Sequence, residues 1–94
     1  IDKFLIISDD INWCKANFIG ENFFFAEGNS TIEDLFIMSL CKNNIIANSS
    51  FSWWGSWLNK NPNKIVCAPS RWFADGSSIK QYESIYRRDM IKIN

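Results

Sequence analysis

What most constrains this chain is a pattern met four times: a short apolar run stops abruptly at a cluster of polar residues. Residues 4–7 (FLII) stop at Ser8, Asp9 and Asp10, and residues 23–26 (FFFA) at Glu27, Gly28 and Asn29. Residues 45–48 (IIAN) run into Ser49 and Ser50, and residues 65–68 (IVCA) into Pro69, Ser70 and Arg71. Continuous apolar runs of this length fit parallel strands covered on both faces. Residues at helical spacing follow the first three breaks, so strand and helix alternate. Four strands and at least three helices in that order predict an α/β chain with a parallel sheet and right-handed crossovers. Ligands of such sheets bind beyond the carboxyl ends of the strands. Asp9 and Asp10, Ser49 and Ser50, and Ser70 with Arg71 all follow a strand directly, so the pattern places them on one rim.

The densest instance is residues 44–58, NIIANSSFSWWGSWL, read as strand, polar turn and helix. A helix that starts there aims free N–H groups and its positive dipole end above the turn, and the two serines add hydroxyl donors. Two readings stand: an anion site, most simply for phosphate, or a serine that only caps the helix. Asp9 and Asp10 pose the same choice. One carboxylate serves as the cap of a helix carrying Ile11, Cys14 and Phe18 on one stripe, with Gly20 as its stop. The surplus carboxylate is free to accept paired N–H donors, such as those on one edge of guanine.

Further along, Ser30 and Glu33 form a capping-box spacing ahead of a helix whose Ile32, Leu35, Phe36, Ser39 and Leu40 share a stripe. Ile37, Met38 and Cys41 cover much of its remaining surface, which predicts burial on more than one side. Trp53 and Trp57 stand four residues apart and face the same way, with Trp54 turned aside. Such rings are core residues or a sugar platform. Gly55 inside that helix predicts a close approach by another group. Asp75 and Gly76 signal a turn, residues 80–88 a surface helix or turn, and an irregular tail follows.

Composition narrows the function. Charge balances to zero with no basic run, which argues against nucleic acid as a partner. No apolar stretch is long enough to span a bilayer and nothing resembles a signal peptide, so the chain reads as soluble. Cys14, Cys41 and Cys67 are odd in number, far apart and set in apolar sequence, as reduced core thiols in a reducing compartment would be. Histidine is absent, so no imidazole base and no His-ligated metal can form within these residues.

Residues 6–15 (IISDDINWCK), 33–58 (EDLFIMSLCKNNIIANSSFSWWGSWL), 61–73 (NPNKIVCAPSRWF) and 90–93 (MIKI) together resemble the C-terminal part of the α-1,2-fucosyltransferases, glycosyltransferase family 11. The resemblance covers nearly the whole chain, and NSSFSWWG is its most specific block. It implies residues 1–94 as the nucleotide-sugar binding domain, a parallel-sheet, Rossmann-like half of a GT-B glycosyltransferase. The implied reaction is inverting, metal-independent transfer of L-fucose from GDP-fucose to a galactose of a glycan acceptor, with no cofactor beyond the donor substrate. By the wider fucosyltransferase pattern Asp10, with Asp9, would contact guanine, and Ser49, Ser50 and Phe51 the diphosphate and nearby fucose. The family's HxRRxD-like arginine motif and its acceptor half have no counterpart here. The resemblance therefore implies a fragment without catalytic residues of its own, inactive without the N-terminal half of the enzyme. Its composition resembles the bacterial, cytoplasmic branch, with a peripheral place at the inner face of a membrane.

The alternative is a non-enzymatic carbohydrate-binding module with Trp53, Trp54, Trp57 and Trp72 as the platform, or the donor domain of another GT-B transferase. Exposure separates the first from the fucosyltransferase reading: a module needs exposed, coplanar indoles.

Overall fold

The computed structural model describes residues 2–72 and 85–93. The chain forms two compact units, Ile1–Asp34 and Leu35–Asn94, each a small α/β assembly with its own parallel sheet. Among the described residues there are three α-helices, and none is long and apolar enough to cross a membrane. The turn at Asp75 and Gly76, and the stretch 80–84 of the expected surface helix, lie outside the described residues.

In the first unit, strand β1 (Phe4–Ile6), helix α1 (Ile11–Asn17) and strand β2 (Phe23–Phe25) make one crossover. Phe4 pairs with Phe23 and Ile6 with Phe25, in parallel. Cys14 is the buried residue of α1, and the Phe23 ring packs against Phe4 and Phe18 at 5.6 Å each. The helix stops earlier than Gly20: the N–H of Phe18 already caps it by bonding to the Cys14 carbonyl at 2.8 Å. Gly20 serves the next turn instead, at φ 145°, a conformation an L side chain rarely adopts.

Helix α2 (Thr31–Leu40) opens on the expected capping box. The Ser30 hydroxyl accepts from the Glu33 N–H at 3.1 Å, and the Glu33 carboxylate accepts from the Ser30 N–H at 2.8 Å. Those bonds, from the Ser30 backbone first and its hydroxyl second, hold the Glu33 carboxyl below its ordinary pKa. The buried side of α2 differs from the expected stripe. Met38 is buried, while Ile32, Phe36 and Leu40 are exposed.

The second unit holds strand β3 (Asn44–Ile45), helix α3 (Ser50–Leu58), strand β4 (Val66–Pro69) and strand β5 (Met90–Ile93), with order β3-β4-β5 and all pairs parallel. β5 is the segment expected to be an irregular tail. Its MIKI sequence is strand-like but too short to stand out before its partner is known. The expected single sheet is two hydrogen-bonded sheets, so Asp9 and Asp10 follow a strand of the first and Ser49, Ser50, Ser70 and Arg71 follow strands of the second.

Among the described residues, one face of the three-stranded sheet is covered. Ile46, Val66 and Ala68 are buried on it. On the other face Ile45, Cys67 and Ile91 stand in one register row, with Ile45 71% and Ile91 52% exposed. The runs read as covered on both faces therefore keep that composition here with one face open.

Gly55 explains how α2 and α3 meet. A Cβ built on it would lie 2.9 Å from both Cε and Sδ of Met38 and 3.0 Å from its Cβ, so the close approach expected there is by the Met38 side chain. Gly55→Ala should lower stability by about 1 kcal/mol, because overpacking of roughly 1–3 kcal/mol outweighs the helix propensity gained. A thermal midpoint at or above the parent's would mean that Met38 yields at no cost.

The opposite end of the sheet from the α3 turn is tied by asparagines. Asn44 and Asn59 are buried, and the Asn59 amide donates to the Cys41 carbonyl at 2.7 Å and to the Asn44 side-chain oxygen at 2.9 Å. Asn44 in turn donates to the Met38 carbonyl at 3.0 Å. Asn61 donates to the Lys42 carbonyl, and Asn43 accepts from the Ile65 N–H.

Candidate functional site

The turn between β3 and α3 is built by serines working on their own backbone. Ser49 is extended (φ −133°, ψ 144°) and its hydroxyl accepts from the Ser52 N–H at 3.1 Å, which makes it the N-cap. Its oxygen also lies 2.7 Å from the Ser52 hydroxyl, which itself reaches the Ala47 carbonyl at 3.0 Å. One hydroxyl carries one proton. With the Ser52 proton on the Ala47 carbonyl or on the Ser49 carbonyl at 3.2 Å, the Ser49 proton can go to Ser52, which keeps Ser49 inside the turn.

Ser50 is different. It is the first residue of α3 and exposed, and it lines a depression of about 190 Å³ with Trp53, Trp54, Trp72 and Ile85. Ser49 takes the N–H groups of Ser52 and Trp53. The amides of Ser50 and Phe51 have no acceptor among the described residues, so they and the Ser50 hydroxyl are the donors this turn offers outward. Phe51 is half-buried.

Two long-range contacts fix the depression, and neither was read from the sequence. Asn48 donates to the Trp72 carbonyl at 3.0 Å, joining the β3–α3 turn to the segment after β4. The Trp53 indole N–H donates to the Ile85 carbonyl at 2.6 Å. Trp72 is buried and meets Tyr86 edge-on at 6.2 Å, and the Tyr86 hydroxyl bonds to the Pro69 carbonyl. Arg71, at the end of β4, is exposed.

Below the depression a cluster of charges closes the other end of α3. Arg87 donates to the Ser56 hydroxyl at 2.8 Å, to the Trp53 carbonyl at 3.3 Å and to Asp89 at 3.1 Å. Lys64 donates to the carbonyls of Ser56 and Asn59 at 2.7 and 2.6 Å and pairs with Asp89 at 3.5 Å. Cations at a helix C-terminus complement its dipole. Partial burial pushes the Asp89 carboxyl up, but hydrogen bonds and charges from Arg87 and Lys64 outweigh this and hold it below its ordinary pKa.

Asp9 and Asp10 belong to the first unit. Asp10 caps α1, accepting from the Trp13 N–H at 3.3 Å, and its own N–H donates to the Ser8 hydroxyl at 3.0 Å. Asp9 is exposed beside it and is the carboxylate the cap does not use.

The tryptophans do not form a flat platform. Trp54 and Trp57 are each about half exposed, yet they meet edge-to-face, with 5.4 Å between centroids and an interplanar angle of 78°. Trp53 meets Trp54 at 4.9 Å and 80°. Trp54, expected to be turned aside, thus meets both its sequence neighbour Trp53 and, three residues on, Trp57.

Compared with known proteins, residues 2–94 match the family described as glycosyl transferase family 11. The chain belongs to this family. Among curated relatives, it is 45% identical over 80 residues to "O-antigen biosynthesis glycosyltransferase WbnK" of Escherichia coli, covering 81% of this chain and 26% of that protein. It is 48% identical over 75 residues to "Alpha-1,2-colitosyltransferase" of Escherichia coli, covering 74% of this chain and 26% of that protein. The family 11 chain thus spans about a quarter of the length of these two relatives. No solved structure matches it. In this family 11 chain the residues expected from the resemblance to contact the donor lie at two turns: Asp9 and Asp10 before α1, and Ser49, Ser50 and Phe51 at the start of α3.

Proposed function

We propose that this chain is the donor-binding part of an inverting, metal-independent glycosyltransferase that moves L-fucose from GDP-fucose to a galactose of a glycan, forming an α-1,2 linkage. Family 11 membership over residues 2–94 carries the reading. The acceptor side is supplied by the rest of the polypeptide, and the chain takes the place of the Rossmann-like half of a GT-B enzyme at the inner face of a bacterial membrane. Asp9 and Asp10 receive the guanine edge. The Ser50 hydroxyl and the amides of Ser50 and Phe51 receive the diphosphate, while Ser49 shapes the turn that presents them. The half-exposed Trp54 and Trp57 meet edge-to-face, so they are not the coplanar pair that the carbohydrate-module reading needs.

A second donor is favoured by one comparison. The relative named alpha-1,2-colitosyltransferase is 48% identical to this chain, so nucleotide-linked colitose is the alternative sugar. Transfer assays with both donors on the full-length protein distinguish them.

The serines test the site itself. Ser50→Ala in the full-length protein should weaken GDP binding by roughly 1–3 kcal/mol and leave the melting temperature nearly unchanged. Ser49→Ala should do the reverse, lowering stability by about 0.5–2 kcal/mol with little change in affinity. Unchanged GDP affinity in Ser50→Ala would remove that hydroxyl from the diphosphate site.

A further inference from the structure

We infer that Arg87 is a positioning residue for the sugar end of the donor site, acting through Trp53; this rests on the donor-site reading above. Four contacts define it. The guanidinium carbon lies 4.7 Å from the centroid of the Trp53 ring. Its three nitrogens are all engaged: Nη1 with the Trp53 carbonyl, Nη2 with the Ser56 hydroxyl and Nε with Asp89. Three of its five N–H donors are thus committed within this chain. Its work is to grip α3 at residues 53 and 56, one turn and more beyond Ser50.

Trp53 is held from a second direction by the same segment, because its indole N–H bonds to the Ile85 carbonyl. Ring face, indole N–H and backbone carbonyl are thereby fixed by residues 85 and 87. Trp53 and Ile85 are also two of the five residues lining the depression beside Ser50. If the Ser50 and Phe51 donors hold the diphosphate, the depression is where the next group of a nucleoside-diphosphate sugar sits. Lysine cannot substitute: it offers a point charge on a flexible stem, not a planar fork that stacks on an indole while bonding in three directions. The effect therefore falls on the sugar and not on the nucleotide.

The test compares GDP and GDP-fucose titrations of the full-length protein with those of Arg87→Lys, Trp53→Phe and the double variant. Arg87→Lys should weaken GDP-fucose by about tenfold and GDP by no more than about twofold. Trp53→Phe keeps a ring but loses the bond to Ile85, and should shift the ratio of the two affinities the same way. Because both act through one side chain, the double variant should be no worse than the poorer single one. A parent-like ratio in Arg87→Lys, or losses that multiply in the double variant, overturns the inference. Should Arg87→Lys not fold, a parent-like ratio in Trp53→Phe alone overturns it. A parent protein that binds neither ligand overturns the donor reading itself, and the inference with it.

Discussion

Asn59→Ala is expected to lower the unfolding free energy of the full-length protein by about 2–4 kcal/mol, the largest effect of any single truncation considered. The residue is 3% exposed and its amide nitrogen serves two acceptors, the Cys41 carbonyl and the Asn44 oxygen. Its oxygen accepts the Asn61 N–H at 3.0 Å. Removal leaves three polar groups without that partner, one of them, the Asn44 oxygen, at a buried position where water is a poor replacement. Asn44 suffers most, since its own amide is already committed to Met38. Denaturant unfolding of parent and variant measures the loss. A difference below about 0.5 kcal/mol would mean that water enters and replaces the amide, as it does at ordinary surface positions.

Asp89→Asn should cost about 1–2 kcal/mol near neutral pH, less than a fully buried pair because the Asp89 side chain remains 30% exposed. The variant leaves Lys64 and Arg87, both largely covered, without the charge between them. The pH dependence has a definite sign. The folded carboxyl titrates below its ordinary value of 3.8, so its stabilisation is fully present above that value. It is lost as pH falls through the lower folded pKa. The stability gap between parent and variant should therefore hold from neutral pH down to about 4 and close below it. A gap that stays open as pH falls well below 4 would place the carboxylate's contribution in its shape and not its charge.

The parts of the fold legible in the sequence are those whose signal is local. The order strand, helix, strand, helix, strand, helix, strand over residues 4–69 follows from apolar runs and their breaks. Ser30 with Glu33, the carboxylate cap before α1 and the serine cap of α3 all lie within three residues of the group they satisfy. The close approach at Gly55 was marked by a glycine where alanine would make a better helix.

What was missed depends on partners far along the chain. Asn44 and Asn59 are fifteen residues apart, and Arg87 reaches Ser56 across thirty-one. Asparagines near Pro62 look like turn residues and an Arg two residues before an Asp looks like solvated surface, because nothing nearby records the distant partners that cover them. β5 is paired by β4, not by its own pattern, and so its strand character awaited the sheet. The stripe on α2 failed for another reason: apolar residues surround that helix, and composition alone does not choose which side meets Gly55. At the candidate site, the sequence named both serines. It did not divide their labour, which depends on a third hydroxyl, Ser52, turned back toward Ala47.

The open row of Ile45, Cys67 and Ile91 has a practical consequence for anyone who makes this stretch by itself. Among the described residues β3 and β5 are the edges of their sheet, and both bring exposed isoleucine to the same face. Edges of that kind recruit further strands from neighbouring molecules, and sulfate or phosphate buffers strengthen the attraction. Solubility screens are therefore better begun at low salt with the row masked by Ile45→Lys and Ile91→Lys.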